Sequence, residues 1–121
     1  MNALLEEHMR ESLVLQWALM QGMLVMGVQT PYEFIQRAKL YRTAEVSDLL
    51  KQDVLLLAGT EDLYAPIEQF YEQIRTLTHV RSLTARKFTR QEQAQNHVPV
   101  GNFGLSLRAM LQWLDSMHTA G

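Results

Sequence analysis

Apolar positions along this chain recur first with a helical period, then as a short unbroken run, then by alternation, and finally with a helical period again. From Ala3 to about Met26, Leu5, Met9, Leu13, Trp17 and Met20 step by three or four, the spacing that lines one face of an α-helix. Gly22 and Gly27 are weak points in that pattern, and Gly27 is expected near a helix end. Met20, Met23 and Met26 form a Met-rich face; ordinary helix packing explains it more simply than an acyl pocket does. Thr30-Pro31 predicts a second helix, with Thr30 as N-cap and Pro31 at the first helical position. Tyr32, Ile35, Leu40 and Tyr41 would share its inner face, with Glu33, Arg37 and Lys39 in water. Thr43 is expected to cap a short helix running through Val46, Leu49 and Leu50.

The period changes at Val54. Val54-Leu55-Leu56-Leu57-Ala58 is an unbroken apolar run closed by Gly59, which predicts a strand buried on both faces in a parallel sheet. Thr60-Glu61-Asp62 then sets an acid on the following turn, at the carboxyl end of the strand, where open α/β sheets gather functional groups. Pro66 opens a helix with Ile67, Phe70, Tyr71, Ile74 and Leu77 on one face, and Thr78-His79 breaks it. Alternation from Ser82 to Thr89 predicts a second strand, so the whole reads as one βαβ unit. Both strands of such a unit point the same way, so the loops that follow them emerge at one edge. Asp62 and His97, remote in the chain, can therefore meet there. Asn102 is expected to cap a last helix whose positions Leu107, Met110, Leu111, Leu114 and Met117 cover one face, with Trp113 beside them.

A strand ending in Gly-x-x-Asp, an amphipathic helix, a second strand, the His-bearing loop Gln95-Asn96-His97-Val98-Pro99-Val100-Gly101-Asn102 and a closing helix together resemble the C-terminal portion of an α/β-hydrolase. Enzymes of that superfamily order their triad Ser, Asp or Glu, then His along the chain. The resemblance implies Asp62 as triad acid and His97 as triad base. It also implies a partial α/β-hydrolase fold, with a helical cap-like or lid-like segment over residues 1–52 and a β-α-β-α unit over 53–121 that holds two parallel strands. The cap part of the match rests on helix pattern and on Pro31-Tyr32-Glu33. Many members place Gly directly before the His, where this chain has Asn96. No Gly-x-Ser-x-Gly occurs, and Ser12, Ser47, Ser82, Ser106 and Ser116 all fall outside any strand-to-helix elbow. The expectation is an incomplete ester or amide hydrolase that retains acid and base, lacks the serine and oxyanion hole, and is inactive alone.

Taken singly, Asp62 also suits a turn acid bonding its own backbone and His97 an ordinary loop residue; the combination of elements favours the acid–base reading. His8, Glu7 and Glu11 cluster on one helix without further ligands, so no metal is expected, and no cofactor either.

Bulk properties narrow the picture further. The 121 residues are 47% hydrophobic, enough for one core. A formal charge of −2 gives no reason to expect nucleic acid; the basic residues Arg81, Arg86, Lys87 and Arg90 read as the solvated ends of a strand. Cysteine is absent, in keeping with a cytoplasmic setting. The most apolar segment, Leu13 to Val28, is interrupted by Gln16 and Gln21 and falls short of the roughly 20 residues of a membrane span. Glu6, Glu7 and Glu11 stand where a signal peptide needs positive charge. An unpaired apolar edge at Val54–Ala58 is a template for another chain, so a homo-oligomer through this edge and the Met-rich helix is expected, with a separate nucleophile-bearing half as the other partner. The alternative is a non-catalytic binding or oligomerisation module derived from the same fold.

Overall fold

The computed structural model describes residues 1–119. It is a mixed α/β structure: five α-helices and a two-stranded parallel sheet occupy the described residues. The backbone divides into two compact units, Met1–Arg42 and Thr43–Gly121.

The first unit is three helices, α1 (Asn2–Glu11), α2 (Leu13–Met26) and α3 (Pro31–Ala38). The single helix expected from Ala3 to Met26 is two. Ser12 leaves the helical region (φ −136°, ψ 110°), its N–H donates to His8 O, and its hydroxyl accepts from Leu15 N at 3.3 Å. The apolar spacing runs through this break, but a serine hydroxyl that satisfies an N-terminal amide supports a new helix start as well as a continuation. Gly27 ends α2 in the left-handed region at φ 62°, as its position foretold.

Thr30 caps α3 with a complete capping box, accepting from Glu33 N while Glu33 accepts from Thr30 N. That helix stops at Ala38, so Leu40 and Tyr41, expected on its inner face, are exposed. Phe34 takes the inner position instead, its ring lying so close to Gly22 that no Cβ would fit between them. Gly22 is thus a packing site, and α2 remains helical through it.

The second unit begins with a turn and a 3₁₀ segment, Ser47–Leu49, where a short capped helix was expected. Thr43 spends its hydroxyl on Gln73 Oε1 at 2.8 Å, and Ser47, fully buried, accepts from Gln73 Nε2 at 2.7 Å. These bonds tie residues 43–47 to the helix after the first strand, within the second unit.

Strand β1 (Asp53–Gly59) pairs in parallel with β2 (Ser82–Phe88), flush from Asp53↔Ser82 to Gly59↔Phe88. Helix α4 (Ile67–Thr76) joins them, and α5 (Phe103–Thr119) closes the chain. Phe88, Ala94 and Ala109 form the small core, with Leu57 and Leu105 packed against it and Phe88 0% exposed. Leu56, Leu57 and Ala58 border a recess with Phe70 of α4. Burial of β1 differs from the expectation: Asp53 to Ala58 are half-buried, and only Gly59 is buried. Its second edge has no strand partner among the described residues.

The apolar stripe predicted for α5 is also placed differently. Ser106 and Ala109 face the core, while Leu107, Met110, Leu111 and Leu114 are exposed. No single described helix is long and apolar enough to cross a membrane; α2 and α3 reach that length only as a pair bent by 70°.

A candidate acid–base site where the two strands end

Thr60 N–H donates to Phe88 O at 3.0 Å, which carries the sheet's bonding one residue past β1 and starts the two following loops from one place. Glu61 N–H then donates to Gln95 O at 2.8 Å, binding the loop of Asp62 to the loop of His97. Glycine at 59 permits this approach, because a Cβ there would lie 2.6 Å from Asn96 O and closer still to Gln95 O. Side chains add a second tie, an ion pair between Arg90 and Glu61. Before the His loop, Thr89 and Glu92 form a capping box over the 3₁₀ segment Arg90–Glu92, and Asn102 Nδ2 donates to Glu92 O at 2.9 Å across the loop's far end.

On this frame Asp62 and His97, 35 positions apart in sequence, meet: Oδ2 lies 2.8 Å from Nδ1. The other carboxylate oxygen accepts from Tyr64 N at 2.7 Å and Ala65 N at 3.0 Å, so the turn that presents Asp62 also orients it. Its side chain is 9% exposed. Burial by itself would raise the Asp62 carboxyl; the Ala65 amide, the His97 hydrogen bond, the Tyr64 amide and the His97 charge outweigh it, and the net displacement is below the ordinary 3.8. A carboxylate ionised near neutral pH only accepts hydrogen bonds, so Nδ1 of His97 is the protonated ring nitrogen. Nε2 has no hydrogen-bond partner among the described residues, and the His97 side chain is 48% exposed.

Two local features shape the imidazole's surroundings. Tyr64 sets its ring edge-wise on that of His97, with centroids 4.9 Å apart and planes at 60°. Val98, the next residue, holds a left-handed backbone at φ 52°. A β-branched residue in that region is an outlier, and such conformations cost of order 1–3 kcal/mol. Asp62 also borders the recess of about 210 Å³ between β1 and α4, with Leu56, Ala58, Ala65 and Phe70 along it.

None of the other serines and histidines is hydrogen-bonded to this pair among the described residues. Ser12 caps α2, Ser47 bonds Thr43 O, Ser82 donates to Asp53 at 2.6 Å, Ser106 bonds Phe103 O, and Ser116 bonds Trp113 O. No serine hydroxyl among the described residues is bonded to His97. His8 Nδ1 lies 2.7 Å from Leu4 O, and no described group of three His, Cys, Asp or Glu is placed to hold a metal ion. His79 Nδ1 lies 2.9 Å from Asp48 O, and His118 lies in the last turn of α5. The basic residues around β2 have partners: Arg81 with Asp53, Arg86 with Glu92, Lys87 with the Tyr71 hydroxyl, and Arg90 with Glu61.

The contributions of Gly59, Tyr64 and the Gln95 carbonyl were not singled out from sequence. The signal for Tyr64 was its place two residues after a turn-forming Asp, where a backbone amide reaches the carboxylate. Comparison with protein families, with characterised proteins and with solved structures finds no match to this chain.

Proposed function

We propose that the chain supplies the acid and base of a Ser-Asp-His hydrolase acting on esters, amides or related acyl compounds, within a partial α/β-hydrolase fold. The observation that supports this reading is the 2.8 Å pairing of His97 Nδ1 with an Asp62 carboxylate held by two backbone amides. In such a system Asp62 fixes the tautomer, and Nε2 of His97 takes the proton of an attacking hydroxyl, then returns it to the leaving group. The nucleophile and the oxyanion-hole donors come from residues other than these 121. A second polypeptide bringing them would seat beside the open edge of β1. The absence of cysteine accords with a cytoplasmic setting for this assembly.

The test has two arms. Alone, the chain is expected to take no label from a serine-directed fluorophosphonate, and labelling would place a reactive serine within it and defeat the division of roles. Mixed with a Gly-x-Ser-x-Gly polypeptide encoded next to it, the chain is expected to restore esterase turnover. Asp62→Asn should then lower turnover about 10⁴-fold, the loss seen when a triad acid can no longer fix the tautomer. Turnover that is indifferent to Asp62→Asn and His97→Ala would remove the pair from the chemistry.

A second reading, a non-catalytic module that homo-oligomerises, is favoured by the unpartnered edge of β1 and the outward apolar residues of α5. Under it, the same two substitutions leave the oligomeric state of the chain unchanged.

A further inference from the structure

Tyr64 touches both members of the pair by different means. Its backbone N–H donates to Asp62 Oδ1 at 2.7 Å, and its ring packs edge-wise on the His97 imidazole at 4.9 Å. The first contact holds the carboxylate whatever side chain residue 64 carries. The second depends on an aromatic ring. His97 is half-exposed and its Nε2 has no partner among the described residues, so its side chain is held by the Asp62 hydrogen bond and the Tyr64 ring.

The geometry points to Tyr64 as a positioning residue for His97: its ring holds the imidazole in the orientation that presents Nδ1–H to Asp62 and leaves Nε2 bare. This rests on the acid–base reading of the site and adds to it the ring that holds the imidazole where Asp62 can fix its tautomer. An exposed imidazole left to itself favours the Nε2-protonated form and samples several rotamers. An edge-to-face neighbour favours the rotamer that keeps the two rings in contact and Nδ1 on Asp62, and an aromatic pair of this kind changes a conformational ratio by roughly two- to tenfold. The Tyr64 hydroxyl has no part in this, since the ring makes the contact.

The experiment uses the full chain labelled with ¹⁵N and long-range proton–nitrogen spectra of the His97 ring above its titration point, with the amide spectrum as the check that each variant is folded. Wild type and Tyr64→Phe are expected to show the Nδ1-protonated pattern. Tyr64→Leu, which keeps apolar bulk without a ring, is expected to lower the ratio of Nδ1- to Nε2-protonated His97 by roughly two- to tenfold. An unchanged ratio in a folded Tyr64→Leu chain overturns the assignment, as does a loss in Tyr64→Phe equal to that in Tyr64→Leu. Asp62→Asn separates the two levels. If it leaves the His97 pattern as in wild type, the acid–base reading itself fails; if it abolishes the pattern while Tyr64→Leu does not, only the role of Tyr64 fails.

Discussion

Gly59 is where the site's tolerance is narrowest, because the atoms a methyl group would meet are backbone carbonyl oxygens of residues 95 and 96 rather than a flexible side-chain tip. Two effects oppose each other in Gly59→Ala. Replacing glycine restricts the unfolded chain and favours folding by about 0.4–1 kcal/mol where the native backbone accepts alanine. Against that, forcing atoms into a packed position costs about 1–3 kcal/mol. Since the Glu61–Gln95 bond pins the obstructing carbonyl, the second effect should win. We expect Gly59→Ala to lower stability by about 2 kcal/mol in urea titration and to disturb the His97 ring resonances. A variant as stable as wild type, with its His97 spectrum intact, would falsify the close approach. Asp62 and His97 were legible from sequence because they depend only on strand direction and loop order. Tyr64 was not, because which ring covers an imidazole depends on the path of a turn that apolar patterning does not describe.

The strands and α-helices after residue 52 were legible in place and less so in rotation, whereas the break at Ser12 and the 3₁₀ segment at Ser47–Leu49 were not. Helix α5 shows why. Its largest apolar residues suggest a buried stripe through Leu107, Leu111 and Leu114, yet Ser106 and Ala109 are its buried residues. Small side chains let a helix backbone approach closely, and the hydroxyl of Ser106 is satisfied by Phe103 O at 2.9 Å, so no buried donor is wasted. Periodicity finds the large residues and misses an interface made of small ones. The outward Phe103, Leu107, Leu111 and Leu114 recur every three or four positions, as one helix face does. We expect the chain to associate at micromolar concentration and Leu107→Glu with Leu111→Glu to shift it toward monomer in light scattering, with far-UV circular dichroism unchanged. A wild-type chain already monomeric there would count against a covered α5 face.

At the scale of the whole molecule, three acidic groups of the second unit have displaced titrations. Asp53 is lowered from 3.8 to about 2, first by its hydrogen bond from Arg81 and then by that from Ser82. Glu92 is lowered chiefly by the Thr89 amide and then by Arg86, and Asp62 as described. Carboxyls depressed in the folded state bind fewer protons than in the unfolded chain, so they stabilise the fold above their ordinary values, and that stabilisation fades as pH falls through the folded ones. Stability should therefore hold from neutrality to about pH 5 and decline between about pH 4 and pH 2. Asp53→Asn should flatten the lower part of that decline. Urea midpoints taken across the range provide the check, and a midpoint at pH 2.5 equal to that at pH 7 would contradict it. The βαβ order on which all this rests was readable because an unbroken apolar run, an amphipathic helix and an alternating run differ in period. The incomplete burial of β1 was not, since a run of apolar residues does not reveal how many neighbours it has.

The flush pairing of β1 with β2 also works as a length gauge. Sliding β2 by one residue would turn Phe88 out of the core, forfeiting about 1.5–3 kcal/mol of apolar burial. It would also carry the root of the His loop about 3.3 Å along the strand axis, farther than any hydrogen bond can stretch. A phenylalanine with no part in proton transfer thus sets how far the imidazole stands from its carboxylate.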